Sequence, residues 1–141
     1  MDHLRNVDIV SKIHEFMYPD ESFNTIISTE CFEHDMFYKQ SLLNICRLLK
    51  PGGMFIFTCA TTGRKEHGTR RTSVSDSPFT STTNGWSDYY QNLEENDIRE
   101  AIDVDNIFSS YQFLVNSDMC DLYFWGIKKV KKYIYMYIGK K

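Results

Sequence analysis

The sequence predicts an α/β domain, because two apolar strand-like runs flank an amphipathic helical segment and a hairpin pattern follows further along the chain. Phe23 to Thr29 (FNTIIST) and Met54 to Cys59 (MFIFTC) are short and rich in apolar or β-branched residues, as buried parallel strands are. Met36 to Leu49 lies between them and repeats apolar residues at helical spacing. We therefore predict a right-handed βαβ unit whose two strands are adjacent and parallel.

Both ends of this helix have sequence signals. Asp35 precedes it and is a residue type that caps helices. The segment Lys50-Pro51-Gly52-Gly53 follows it. Proline cannot continue a helix, and glycine permits the left-handed turn that reverses the chain. The helix is therefore predicted to end before this segment.

The rest of the pattern is organised around the βαβ unit. Asn6 to Val10 is predicted to be a short strand before it. Residues 61–91 are polar and show no repeating hydrophobic pattern, which is typical of a lid or binding loop. Asn92-Leu93-Glu94-Glu95 has the spacing of a capping box and predicts a helix through about Ile102. Tyr111 to Val115 and Leu122 to Ile127 predict an antiparallel hairpin.

Length and charge limit the possible classes of protein. A chain of 141 residues suggests one domain, which we place at residues 1–130, with a basic and aromatic tail at 131–141. The net charge is −3, and all 19 acidic residues precede the six lysines of residues 128–141. An acidic body argues against nucleic-acid binding. The tail could contact an anionic surface, although a solvated terminus is the favoured interpretation.

The sequence also predicts the compartment. The longest apolar run, Tyr133 to Ile138, is far shorter than a membrane span, and no signal peptide opens the chain. The four cysteines show no disulfide framework and are predicted to be small hydrophobic residues in a reducing compartment. We therefore expect a cytoplasmic protein without a membrane span.

The segment from Phe23 to Thr61 carries a resemblance to a known family. It resembles the second half of a class I S-adenosylmethionine-dependent methyltransferase, in which the fourth strand ends at a polar position and a Glu-His pair follows. Here these are Thr29-Glu30 and Glu33-His34, and the Leu49-Lys50-Pro51-Gly52-Gly53 turn leads to the next strand as in the family. The segments before Phe23 and after Thr61 also fit, so that the similarity covers roughly residues 6–130.

The resemblance implies a Rossmann-like methyltransferase fold that is N-terminally truncated. The family's fourth, fifth, seventh and sixth strands should be neighbours in that order, and the last two should form an antiparallel hairpin. The family's first two strands and its Gly-rich cofactor loop have no counterpart in the sequence. In many relatives an acid near the position of Lys12 meets the adenine amine, whereas a lysine cannot accept that hydrogen bond.

The resemblance also implies a set of functional residues at the strand ends. The cofactor would be S-adenosylmethionine, bound weakly or not at all by this chain alone, and a small molecule would accept the methyl group. Four residues would contact the cofactor: Ile13, Ser28, Thr29 and Glu30. His34 and His67 are the candidate catalytic bases.

The irregular stretch supplies candidate substrate contacts. Arg70 and Arg71 could bind a phosphate or carboxylate, and Tyr89 and Tyr90, with Trp86, could line a cleft; a solvated loop and loop packing are equally compatible with these residues. Glu33 is interpreted as favouring the positive end of the following helix. A zinc site from Cys31, His34, Cys59 and His67 is considered but not predicted, because the spacing is loose.

The leading functional hypothesis is therefore methyl transfer from S-adenosylmethionine to a small acceptor, by this chain or by a larger enzyme of which it is a fragment. The alternative is a non-catalytic, methyltransferase-like binding or partner subunit, or an inactive remnant. Without the first two strands the Phe23 to Thr29 strand would have a bare edge, which predicts a homo-oligomer or a partner chain at that edge.

Overall fold

The computed structural model describes residues 7–130, which contain one mixed four-stranded sheet with helices on one face. The strands are β1 (Phe23–Thr29), β2 (Leu49–Ala60), β3 (Phe108–Asn116) and β4 (Asp121–Lys128). The α-helices are α1 (Tyr38–Leu48), α2 (Pro78–Ser81), α3 (Glu95–Ala101) and α4 (Val104–Ile107). Short 3₁₀ turns cover Ile13–Glu15, Phe32–His34 and Val74–Asp76. The strand order β1-β2-β4-β3 is the order that the sequence predicted.

The βαβ unit is confirmed. β1 and β2 pair in parallel with Ile26 opposite Phe55, and α1 connects them. β2 begins at Leu49 rather than Met54, because Leu49 already pairs with Phe23 before the register shifts across the turn. That turn needs its glycine, since a Cβ on Gly53 would lie 2.8 Å from the backbone oxygen of Asn24.

The predicted caps of two helices are displaced. α1 begins at Tyr38, and Asp35 accepts a hydrogen bond from the N–H of Phe37 at 2.8 Å, one residue before the first turn. The capping box of α3 is formed by Glu94 and Asp97, so the helix begins at Glu95. Asn92 instead donates a side-chain hydrogen bond to the carbonyl of Arg64 at 2.9 Å.

The predicted strand from Asn6 to Val10 is wrong for the described residues 7–10, which form no strand. Val7 and Ile9, which would share one face of such a strand, are both exposed there, so that this segment buries no apolar face against the sheet. The predicted hairpin is confirmed and is longer than expected: β3 and β4 pair antiparallel from Phe108 to Lys128.

One face of the sheet carries the core. Phe55, Phe57 and Cys59 of β2 point to this covered face and are fully buried. Helices α1 and α3 and the turn at Phe32 cover them. Phe57 stacks on Phe124 of β4 at a ring distance of 5.2 Å. These aromatic contacts join the two halves of the sheet through a single apolar cluster.

The opposite face has no covering element among residues 7–130, and we call it the open face. Ile27 of β1 lies opposite Ile56 of β2, which lies opposite Trp125 of β4. Ile27 is 63% exposed and Trp125 is 37% exposed. The expectation that β1 is a buried strand is therefore wrong: none of its seven residues is buried, because the described residues cover neither its outer edge nor its open-face side.

Three further sequence predictions concern the tail, a membrane span and the cysteines. The tail at residues 131–141, including Tyr133 to Ile138, lies outside the described residues. Within residues 7–130, no helix is long and apolar enough to cross a membrane. Among the cysteines, Cys46 and Cys59 are buried as predicted, whereas Cys31 is exposed and does not act as a core residue.

Candidate functional site

The candidate site is built at the carboxyl ends of β1 and β2, where open α/β sheets bind ligands. Glu30 follows β1 with a positive φ of 48°, a conformation that turns the chain sharply at the strand end. Its N–H donates to the carbonyl of Thr58 at 2.9 Å, and the Thr58 hydroxyl donates to its carboxylate at 2.7 Å. The two neighbouring strands thus fix the position of this carboxylate.

A pocket of about 250 Å³ lies beside Glu30, and we call it the strand-end pocket. Ile13, Glu30 and His34 line it, as do Lys12 and Trp86. The Lys12 ammonium lies 5.2 Å from the centre of the Trp86 ring. Three sequence-predicted residues therefore meet in one cavity. Ser28 and Thr29, the other two predicted cofactor contacts, lie on β1 and are not among the residues that line it.

A second group of side chains lies next to the pocket: Glu33, His34 and His67, which we call the Glu-His cluster. One ligand-type atom from each of the three lies within 4.8 Å of the others. Glu33 is fully buried, His34 is 6% exposed, and His67 is half-buried. The ring of Tyr90 packs against both histidines, at centroid distances of 5.5 Å from His34 and 5.0 Å from His67.

The cluster contains polar atoms without partners. Within residues 7–130, neither carboxylate oxygen of Glu33 has a hydrogen bond of acceptable geometry, and the same holds for Nδ1 of His34 and the hydroxyl of Tyr90. A buried polar group without a partner costs about 1–3 kcal/mol. Four such atoms on three neighbouring side chains indicate a place where something polar belongs.

Burial shifts the proton affinities of the cluster. Loss of solvent raises the pKa of Glu33 to about 7, and the nearby carboxylate of Glu30 raises it further, while the backbone amides of Glu33 and Ala60 oppose this rise. Loss of solvent also lowers the pKa of His34 to about 4, so its imidazole is neutral at pH 7. Within residues 7–130, no cationic side chain compensates the Glu33 carboxylate, and Nδ1 of His34 has no hydrogen-bond partner.

The loop from Arg64 to Gln91 brings His67 to this place. Gly68 has a positive φ of 63°, and a Cβ there would lie 2.7 Å from the Cε1 atom of His34. Only glycine lets the backbone after His67 approach the His34 ring so closely. At the other end of the loop, the N–H of Gln91 donates to the carbonyl of Glu33 at 2.9 Å.

The arginines of the loop are placed differently from the histidines. Arg70 donates to Asp88 through its guanidinium, and Arg71 pairs with Glu66 at 2.8 Å and with the carbonyl of Asp88. Neither lines the strand-end pocket. Both arginines hold the loop together in this structure, and a role in substrate binding stays a prediction.

The two tyrosines of the loop also differ from each other. The Tyr89 hydroxyl donates to Gln91 at 3.1 Å and takes no part in the pocket. Tyr90 reaches the Glu-His cluster, and Trp86 reaches the pocket. The considered zinc set is not assembled, since Cys31 and Cys59 are not part of the cluster that the described residues form.

Sequence reasoning missed the position of Glu33. The residue was interpreted as an acid near a helix terminus, yet its side chain is fully buried against two histidines. The one available signal was its place in the segment Glu30-Cys31-Phe32-Glu33-His34, where two acids and a histidine follow a strand. The distance to His67 depends on the path of an irregular loop, which no periodic pattern predicts.

Comparisons with known proteins agree with this architecture. Residues 2–57 match the family model of a methyltransferase domain. The chain is similar to a solved structure described as a complex between the Haloferax volcanii Trm112 methyltransferase activator and a methyltransferase, at 15% identity and a TM-score of 0.56. That alignment covers 92% of this chain and 66% of the other. No curated protein matches the chain.

Two further structures share the fold. Phosphoethanolamine N-methyltransferase 2 of Haemonchus contortus, solved with S-adenosylhomocysteine, aligns at 14% identity and a TM-score of 0.55, over 84% of this chain and 36% of that one. The [4+2]-cyclase SpnF aligns at 11% identity and a TM-score of 0.56, over 86% and 55%. The chain thus spans between 36% and 66% of the length of these three structures.

These results define the class of protein. The sheet order, the family match and the structural neighbours together confirm the resemblance, and the chain has the Rossmann-like fold of class I methyltransferases. Its residues 23–60 form the strand, helix and strand of the βαβ unit.

Proposed function

We propose that this chain takes part in methyl transfer from S-adenosylmethionine to a small acceptor, and that the strand-end pocket is its share of the cofactor site. The observation that carries this proposal is the meeting of Ile13, Glu30 and His34 in one cavity at the carboxyl end of β1. This is the place where open α/β sheets bind ligands. The carboxylate of Glu30, held by Thr58, would face a cationic sulfonium favourably.

The residues present fit only part of the cofactor. The pocket of about 250 Å³ is smaller than the roughly 300–1,000 Å³ of ordinary ligand sites. Lys12, which lies over Trp86, has only donors to offer an adenine amine, which is itself a donor. We therefore expect this chain alone to bind S-adenosylmethionine weakly, and a complete site would need further protein around the pocket.

The chemistry asks little of the protein itself. When bound, S-adenosylmethionine supplies a methyl group that its sulfonium already activates, so that alignment of the acceptor provides most of the rate. A base is needed only where the acceptor must lose a proton. His34 has a pKa lowered to about 4 and is a weak base, so the less buried His67 is the better candidate.

The second candidate function is a non-catalytic subunit that binds another chain, or an inactive remnant. The open face and the outer edge of β1 favour it. The open face exposes apolar side chains, the edge exposes backbone N–H and C=O groups, and a partner would cover both. One of the structural neighbours was solved as a complex between an activator and a methyltransferase. A comparable partner of this chain is a proposal that binding measurements can address.

The test is a titration of the purified chain with S-adenosylmethionine and, separately, with S-adenosylhomocysteine. We expect a Kd for S-adenosylmethionine weaker than about 10 μM, which corresponds to roughly 7 kcal/mol. Because the sulfonium is cationic and the thioether is neutral, the chain should prefer the first ligand. The variant Glu30→Gln should lose this preference, whereas Glu95→Gln, a half-buried acid on α3 that pairs with Arg99, should keep it.

Each result of this titration decides something. A Kd tighter than about 10 μM would mean that an unrecognised arrangement replaces the missing contacts. The absence of binding for both ligands at millimolar concentration would favour the partner subunit or the remnant. A preference that survives Glu30→Gln would remove Glu30 from the cofactor site.

A further inference from the structure

We propose that Glu33, His34 and His67 form a binding site for one divalent transition-metal ion. The three side chains come from two segments that are separated by more than 30 residues in the sequence, yet their ligand-type atoms lie within 4.8 Å of one another. A single ion at their centre would be within reach of all three. An ion bound to Nε2 of His67 would prevent that ring from acting as the base considered above, and the test of metal binding uses no cofactor.

The first observation is the environment of the carboxylate. Glu33 is fully buried, and neither of its oxygens has a hydrogen bond of acceptable geometry among the described residues, although the backbone amides of Glu33 and Ala60 lie close enough to lower its pKa. Burial of a charged group costs several kcal/mol unless another charge compensates for it. No lysine or arginine pairs with Glu33 within residues 7–130, so a bound cation is the group that would repay this cost.

The second observation is the arrangement of the histidines. Nδ1 of His34 is buried and has no hydrogen-bond partner among the described residues. Nδ1 of His67 lies 3.1 Å from the carbonyl oxygen of Lys65, which requires the proton on Nδ1 and leaves the Nε2 lone pair free. A histidine that donates one ring N–H to a carbonyl while its other nitrogen binds a metal is the usual outer-shell arrangement.

The third observation is that the backbone permits the cluster. Gly68 has no space for a Cβ, which would lie 2.7 Å from the His34 ring and 2.6 Å from Ser77. The close approach therefore depends on a glycine directly after His67. The Gln91–Glu33 backbone hydrogen bond of 2.9 Å fixes the returning end of the same loop. The loop thus holds His67 against His34 from both sides.

The donor set indicates the kind of ion. Two imidazole nitrogens and one carboxylate oxygen suit zinc and other divalent transition metals, whereas magnesium and calcium prefer oxygen ligands alone. Three protein ligands are typical of sites that keep one position open for water or a substrate atom. His67 is the least buried member, so the ion and any exchangeable ligand would enter from its side.

The experiment is a zinc titration of the chelator-treated full chain at neutral pH, with a chromophoric chelator as competitor. We expect one zinc ion per chain with a Kd of about 1 μM or tighter. Ligand removal should weaken binding by about tenfold or more in both His67→Ala and Glu33→Gln, given that even outer-shell changes cost 10–100-fold. Circular dichroism before the titration checks that each variant is folded.

Two control variants separate this site from adventitious binding. Cys31→Ser removes an exposed thiol near the pocket, and His14→Ala removes a histidine outside the cluster. Both should bind zinc within about threefold of the unaltered chain, which is a change below 1 kcal/mol. Cobalt in place of zinc should give the visible bands of a low-coordinate site, and these should disappear in Glu33→Gln.

The proposal is overturned by three results. The first is a zinc Kd weaker than about 100 μM for the unaltered chain. The second is equal affinity of the unaltered chain and the folded His67→Ala and Glu33→Gln variants, which would mark binding elsewhere on the surface. The third is loss of binding in Cys31→Ser alone, which would assign the ion to a thiol.

Discussion

The two faces of the sheet are built from alternate residues of the same strands, yet they have opposite surroundings. On β2, Phe57 is fully buried beneath the helices, while the adjacent Ile56 lies on the open face. On β1, Ile26 packs against the core and Ile27 is 63% exposed. Because both faces are apolar, the difference does not come from composition. It comes from where covering elements exist among residues 7–130.

The comparison also separates two kinds of incompleteness. The open face lacks cover for apolar surface, which is a deficit that any apolar partner could fill. The Glu-His cluster lacks partners for a few buried polar atoms, which is a deficit that only a group of defined chemistry could fill. The first bears on assembly and the second on chemistry, and single substitutions can measure each one separately.

The largest expected effect is on the covered face. Phe57→Ala should lower the free energy of unfolding by about 3–5 kcal/mol, because it removes a fully buried ring and leaves a cavity between Phe32 and Phe124. Urea unfolding followed by circular dichroism measures this loss. The matched change Ile56→Ala on the open face should cost about 1 kcal/mol or less. Equal losses would mean that something in the full chain covers the open face.

A smaller effect is expected on β1, where the same residue type occurs on both faces. Ile26→Ala should cost about 1–2 kcal/mol, because Ile26 is partly buried against the core. Ile27→Ala should change the free energy of unfolding by no more than about 0.5 kcal/mol, because most of its side chain is in solvent. The same urea experiment compares them, and the reverse order of costs would contradict this description of the faces.

The sequence predicted those parts of the fold that show a repeating hydrophobic pattern or that end at a proline or glycine. The bounds of β1 were predicted without error, and the glycines after α1 marked the turn into β2. Burial of β1 could not be predicted, because composition shows which residues are able to be buried and not which element is present to bury them. The strand at residues 7–10 was predicted from three apolar residues, and in the structure this segment pairs with no strand of the sheet.

The candidate site was predictable to a similar extent. Ile13, Glu30 and His34 follow recognisable motifs and meet in one pocket. The contact between Glu33 and His67 was not predicted, since it depends on a loop whose path is fixed by Gly68 and by hydrogen bonds distant in sequence. Arg70 and Arg71 show the opposite case, in which a motif was recognised but its predicted role was not observed. The pair suggested an anion site, yet in the structure Arg70 pairs with Asp88 and Arg71 with Glu66.

A substitution on the open face should have the smallest effect on stability and should instead change the mass of the protein in solution. If the open face and the edge of β1 associate, light scattering should give a concentration-dependent mass above that of one chain, 16.6 kDa. Ile27→Lys places a charge in the middle of the open face, where burial against another chain would cost several kcal/mol. Because Ile27 is largely in solvent within a single chain, the free energy of unfolding should change by no more than about 0.5 kcal/mol. The mass should fall towards one chain in this variant, whereas Leu43→Lys, at an exposed position on α1 away from the open face, should leave it unchanged. A mass of one chain at every concentration of the unaltered protein would contradict self-association and would leave the open face to a different partner.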